Sequence, residues 1–217
     1  MIKAVLFDLD GTLVNSLNDL ADATNFALEY LGFPTHEVEK FKYFVGDGIP
    51  KLIERVLPAE KCDEEHKNKC LELFFQYYSV HFADKTKVYT DVPELVNQLK
   101  KQGIAMAVVS NKAQEMTNLV VNKLYGDTFD LVLGKREGVP AKPDPAMLKL
   151  AASEIKIRPE NCAFIGDSGM DMAAAVGAGM LPIGVLWGFR TEEELKSNGA
   201  EYILNNPKDI FRIIGEV

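Results

Sequence analysis

Histidine and cysteine are both scarce in this chain: three of each occur among 217 residues, with a single tryptophan. His36, His66 and His81 show no ligand spacing, which argues against a histidine-built metal centre and leaves them as surface or packing residues. Cys62, Cys70 and Cys162 are odd in number and irregularly spaced. That excludes a disulfide framework and fits unpaired thiols in a reducing cytosol. Long hydrophobic runs are missing too, so no membrane span is expected, and a strand that starts at Ile2 leaves no room for a signal peptide. The expected location is therefore cytoplasmic. Positive charge is also in deficit, with 24 Lys+Arg against 32 Asp+Glu and a net charge of −8. Without Lys/Arg clusters, nucleic acid is not expected as a partner. No internal repeat or low-complexity tract is present, and a charged content of 26% is that of an ordinary globular chain of one or two domains.

What is present begins with a strand that ends in acid. Ile2-Lys3-Ala4-Val5-Leu6-Phe7 is apolar at five of six positions, as suits a strand buried on both faces. It runs into Asp8-Leu9-Asp10-Gly11-Thr12, two carboxylates followed by a glycine turn and a hydroxyl. Alone, this could be a strand entering a solvated Asp/Gly turn. Two further apolar strands also deliver polar groups: Ile104 to Val109 leads to Ser110-Asn111-Lys112, and Cys162 to Ile165 leads to Gly166-Asp167-Ser168-Gly169-Met170-Asp171. Between them, Gly138 to Pro145 is a stiff loop that carries Lys142, with Asp144 and Pro145 suited to start a helix. Ligands of open α/β sheets bind at the carboxyl ends of the strands. Acids, a hydroxyl, an amide and a lysine meeting there form a site for a phosphate and a divalent metal. The donors are oxygens, with no His or Cys, so Mg²⁺ suits them better than Zn²⁺.

From about Ser16 to Phe82 the pattern is helical only. Leu17, Leu20, Ala21, Thr24, Ala27, Leu28 and Leu31 recur at helical spacing up to Gly32 and Pro34; a short helix follows Pro50; a third shows Leu71, Phe74, Phe75, Tyr78 and Phe82 on one face. Such stripes predict the core of a small helical bundle. Afterwards strands and helices alternate. Asp91 with Glu94 predicts a capping box for a helix ended by Gly103; Gln114 to Leu124 and a segment after Pro145 predict further helices. Phe129 to Leu133, Leu181 to Val185 and Tyr202 to Leu204 predict strands, an alanine-rich helix follows Gly169, and a helix from Pro207 closes the chain. The fold class expected is α/β, a doubly wound parallel sheet of Rossmann type, with an all-helical domain inserted after the first strand. The predicted domains are 1–14 plus 84–217 for the α/β core and 15–83 for the helical insert.

Four segments, DxDGT at Asp8 to Thr12, Ser110, Lys142 and GDxxxD at Gly166 to Asp171, resemble the four motifs of the haloacid dehalogenase superfamily, in its order. Val45-Gly46-Asp47-Gly48 with Leu52, Ser110-Asn111-Lys112, Lys142-Pro143-Asp144-Pro145 and Trp187-Gly188-Phe189-Arg190 are similar to phosphoglycolate phosphatases and their relatives. Asn15 stands where relatives usually have Asp. The resemblance implies a helical cap over the active site and a strand order that places the first and fourth core strands side by side, with Asp8 facing Asp167. It implies a phosphoric monoester hydrolase in which Asp8 is the nucleophile that forms an aspartyl-phosphate. Asp10 would be the acid and then the base, an acid that the superfamily's dehalogenases lack. It further implies that Asp8, the Asp10 carbonyl and Asp167 hold Mg²⁺, with Asp171 supporting them from behind. Ser110, the Asn111 N–H and Lys142 would bind the phosphoryl oxygens. Thr12, Gly46 and Gly48 are candidate substrate contacts. The expected partner is a small phosphorylated metabolite, 2-phosphoglycolate by preference, and the chain is expected to act as a monomer or homodimer. A pyrophosphatase, a sugar-phosphate phosphatase or a β-phosphoglucomutase-like enzyme is the alternative. A non-catalytic phosphate-sensing or partner-binding protein is the remote one. Trp187, Phe189 and Arg190 are read as packing and surface residues.

Overall fold

The computed structural model describes residues 1–215. In chain order the elements are β1 (Ala4–Phe7), β2 (Val14–Asn15), α1 (Leu17–Tyr30), α2 (Phe41–Phe44), α3 (Ile49–Val56), α4 (Glu64–His81) and β3 (Lys87–Val88). They continue as α5 (Val92–Lys101), β4 (Ala105–Ala113), α6 (Gln114–Tyr125), β5 (Leu131–Lys135), α7 (Ala146–Glu154) and β6 (Cys162–Gly166). The chain then forms α8 (Gly169–Ala178), β7 (Leu181–Val185), α9 (Glu192–Ser197), β8 (Tyr202–Leu204) and α10 (Ile210–Ile214). Two compact units result: Asn15–Lys87, and Met1–Val14 joined with the chain from Val88 onward.

The α/β unit is built on a six-stranded sheet in the order β5-β4-β1-β6-β7-β8, parallel throughout. The chain fills one side of β1 first and then crosses to the other. The topological switch therefore lies between β1 and β6, where Phe7 pairs with Ile165. Hydrophobic burial holds this arrangement: Ala4 and Leu6 of β1, Val109 of β4 and Phe164 of β6 share a core with Met147, Leu148 and Ala151 of α7. Ala174, Ala175 and Ala178 join it from α8, small side chains that let this helix lie close to the sheet. Each of the larger buried side chains contributes roughly 1.5–3 kcal/mol. The α9 turn is absent from the sequence expectation, although Thr191 caps it by accepting from Glu194 N.

The Asn15–Lys87 unit is helical, with α1 packed on α4 and a core of Leu20, Leu28, Phe41, Leu52, Ile53, Phe74 and Tyr78. The buried stripe of α4 runs through Cys70, Leu73, Phe74 and Tyr78, and Phe75 is exposed, so the expected stripe of Leu71 and Phe75 is displaced around the helix. Asn15 accepts from Leu17 N (3.3 Å) at the start of α1. The α/β unit resumes at Val88, where the sequence reading has residue 84, and hydrogen bonds account for the difference. Buried Asp19 of α1 accepts from Lys85 N (2.9 Å), Thr86 N (2.7 Å) and Thr86 Oγ1 (2.6 Å), tying that segment to the helices. Among the described residues no helix is long and apolar enough to cross a membrane.

Asp91 does precede α5, yet its φ of +64° places it in the left-handed region, where its side chain makes no cap bond. It pairs instead with Lys208 at 2.9 Å.

Candidate active site

The carboxyl ends of β1, β4 and β6 bring the expected residues together. Asp8 extends β1 and is tied to its neighbour strand through Asp8 N to Ile165 O (2.9 Å). A tight turn follows, in which Leu13 N and Val14 N both donate to Leu9 O and Gly11 N donates to Val14 O (2.8 Å). Gly11 has φ +90°, and a Cβ there would lie 2.2 Å from Asp167 Oδ2. Only glycine allows both the turn and the close approach of the two acidic segments.

Lys142 is the hub. Its Nζ lies 2.8 Å from Asp8 Oδ1, 2.7 Å from Asp171 Oδ1 and 3.0 Å from Val109 O, with the side chain buried. Its backbone is fixed by Asn111, whose side chain accepts from Lys142 N (2.9 Å) and donates to Lys142 O (2.9 Å). Strand β4 and the loop before α7, 31 positions apart, are thereby joined. Asp144 accepts from Ala146 N (2.8 Å) and starts α7, as the sequence suggests; Pro145 is the residue just before the helix and not its first.

Asp8, Asp167 and Asp171 each offer an oxygen within 4.8 Å of the others, all three buried. Crowding has a cost. Burial, only partly offset by the Lys142 charge and reinforced by Asp171, pushes the Asp8 carboxyl up to about 7. Burial, then the charges of Asp171 and Asp8, raises Asp167 well above the ordinary carboxylate range. The same ion pairs hold Lys142 above its ordinary value in spite of its burial. An all-oxygen cluster with excess negative charge fits a hard divalent cation such as Mg²⁺. The two Asp171 oxygens already accept bonds, one from Lys142 and the other from Ser168 N (3.0 Å) and Ser168 Oγ (2.6 Å). Ser168 and Asp171 form a capping box at α8.

Thr12 Oγ1 points at Asp167 Oδ1 from 3.5 Å. Ser110 is buried within β4, just after Val109, where its register with β5 shifts, and beside Asn111. Gly46 (φ +117°) and Gly48 (φ +87°) belong to the helical unit, in the loop that leads into α3, where Asp47 pairs with Arg55.

Three contributions are missing from the sequence reading. Lys112 Nζ pairs with both Asp10 oxygens, at 3.0 and 2.8 Å. The loop after β7 clamps the site: Phe189 N donates to Asp167 Oδ2 (2.7 Å) and Trp187 Nε1 to Thr12 O (3.0 Å). Between them, a Cβ on Gly188 would lie 2.3 Å from Asp167 Cβ and 2.4 Å from Gly11 O. The position of Trp187-Gly188 past the carboxyl end of a buried strand was the available signal. Tyr89 is the third: burial, and then the charges of Asp167 and Asp10, raise its phenol.

The family profile for haloacid dehalogenase-like hydrolases matches residues 2–179. The phosphoglycolate phosphatase of Chromobacterium violaceum is 34% identical over 217 residues, covering 98% of this chain and 96% of its own. That of Aquifex aeolicus is 30% identical over 214 residues, covering 98% and 97%. The crystal structure of a predicted phosphoglycolate phosphatase from Haemophilus somnus superposes with a TM-score of 0.91 at 29% identity, covering 98% of this chain and 97% of that one. Motifs, sheet order and these likenesses agree: the chain belongs to the haloacid dehalogenase-like hydrolases, in the part of that family similar to phosphoglycolate phosphatases.

Proposed function

We propose that this chain hydrolyses 2-phosphoglycolate, with Asp8 carrying the phosphoryl group between substrate and water. It is a phosphoric monoester hydrolase of its family, and the carboxylate–lysine hub of Asp8, Lys142 and Asp171 supports the reading best. An Asp8 oxygen attacks phosphorus as the bond to the leaving oxygen breaks, and Asp10 gives that oxygen its proton. Asp10 then takes a proton from water, whose oxygen displaces Asp8 and releases phosphate. Ser110, the Asn111 N–H and Lys142 bind the non-bridging oxygens as charge spreads over them. The Asp8 carboxylate, the Asp10 carbonyl and Asp167 would hold Mg²⁺, supported by Asp171, and its charge when bound offsets the repulsion between an anionic nucleophile and an anionic ester. The three cysteines are free thiols, which suits the reducing cytoplasm where we place the enzyme.

The test is Mg²⁺-dependent phosphate release from 2-phosphoglycolate, pyrophosphate and several sugar phosphates. We expect the highest kcat/KM on 2-phosphoglycolate and a loss on the order of 10⁴-fold or more in Asp8→Asn. A preference for another ester would leave the chemistry and reject the substrate.

A further inference from the structure

We propose that Lys112 is the positioning residue of Asp10, holding its carboxylate in one orientation through both proton transfers. The proposal rests on the reading of Asp10 as acid and then base. The Lys112 side chain is 4% exposed and that of Asp10 18%, so the pair is withdrawn from water. A lysine is buried at high cost unless its charge is matched, and here both carboxylate oxygens face one ammonium. The partners are 102 positions apart, so only the finished sheet creates the pair.

The local backbone is shaped for this contact. The register of β4 with β5 shifts between Val109 and Ala113, so Ser110, Asn111 and Lys112 occupy an irregular stretch of the strand. Such irregularities re-aim side chains beside active sites. Lys112 N donates to Ser110 Oγ (3.3 Å), and Thr117 Oγ1 donates to Lys112 O (3.1 Å), which ties the segment to α6. Asp10 itself sits past the end of β1, in a single bridge with Val14, where no regular strand fixes its direction. Lys112 supplies what the strand does not.

The site thus has a division of labour. Lys142 serves Asp8 and Asp171 together, and Lys112 serves Asp10. A group that must meet a leaving oxygen and then a water gains from being held in reach of both. Lys112 acts through Asp10 in this scheme and need not touch the ester.

The experiment is a double-mutant cycle on the full chain with Mg²⁺: wild type, Lys112→Met, Asp10→Asn and the double variant. Turnover is read on 2-phosphoglycolate and pre-steady-state product release on 4-nitrophenyl phosphate. We expect Lys112→Met to lower kcat about 10- to 100-fold with KM little changed. On the aryl ester, whose leaving group needs no acid, it should show a stoichiometric burst of nitrophenol ahead of slow hydrolysis. In the Asp10→Asn background the same change should add nothing, and Lys112→Arg should recover most of the turnover. An equal further loss in the Asp10→Asn background, or unchanged turnover in Lys112→Met, overturns the proposal. If Lys112→Met melts early, the cycle is run with Lys112→Gln under the same criteria. Wild-type protein inactive on every ester, or Asp8→Asn as active as wild type, would instead reject the proposed function.

Discussion

The two units differ in whether they bury a lysine in an ion pair. In the helical unit Lys42–Glu39, Lys51–Glu54, Lys67–Glu64 and Lys69–Glu72 are i,i+3 pairs, none of them buried. In the α/β unit Lys142–Asp8, Lys142–Asp171 and Lys112–Asp10 join residues far apart in sequence, with both lysines buried. Exposed pairs gain little Coulomb energy in water and lose side-chain entropy. Buried pairs are expensive to assemble and expensive to break, because removing one partner strands the other charge. A fold does not need such pairs for stability, so three of them at one sheet edge point to a functional site. Asp19 is the exception in the helical unit, a buried acid bound to backbone and hydroxyl donors instead of a cation.

Breaking the contrast at its centre should give the largest effect. Lys142→Met leaves Asp8 and Asp171 buried without their cation, and we expect a loss of about 3–5 kcal/mol in urea unfolding together with loss of turnover. An unfolding midpoint equal to wild type would show that the hub does not need its lysine.

Proton uptake sharpens the comparison further. Asp8 is held near 7 against an unfolded value of 3.8, so the folded state binds protons more tightly than the unfolded one. Its contribution to stability is complete below about pH 4 and is lost as pH rises through about 7. In EDTA the melting temperature of wild type should fall over this interval relative to that of Asp8→Asn, and saturating Mg²⁺ should remove the difference at the upper end. Parallel pH curves for the two proteins would refute it.

Asp19→Ala probes the exception. It leaves Lys85 N and Thr86 N without their acceptor, and we expect a loss of about 2–4 kcal/mol with earlier proteolysis between residues 82 and 88. The smallest effect belongs to the exposed pairs. Replacing both Lys51 and Glu54 by Ala should leave melting temperature and turnover where they were, as differential scanning calorimetry and the phosphate assay would show.

How much of this was legible follows from how far each signal reaches along the chain. Asp8 to Thr12 and Gly166 to Asp171 are short, each an apolar strand ending in acids and a glycine, so both strand ends were readable. Lys142 announced itself through the prolines around it. Lys112 stood beside Ser110 in plain view, yet its partner appears only when β4 lies against β1. Phe189 contributes a backbone N–H, which no side-chain pattern encodes. Asp91 misled because capping rules assume an extended N-cap, and its left-handed backbone turns the carboxylate toward Lys208. The offset stripe on α4 shows the limit of periodicity: Cys70 and Leu73 compete with Leu71 and Phe75 for the same face, and packing decides.

The paired hydrogen bonds between the Asn111 amide and the Lys142 peptide carry a last consequence. They fasten the Asn111 and Lys142 segments independently of the covalent path between them. That path passes through exposed Gly126 and Asp127. A cut made there would leave the fastening intact, so the chain is suited to reassembly from two pieces divided at this exposed turn.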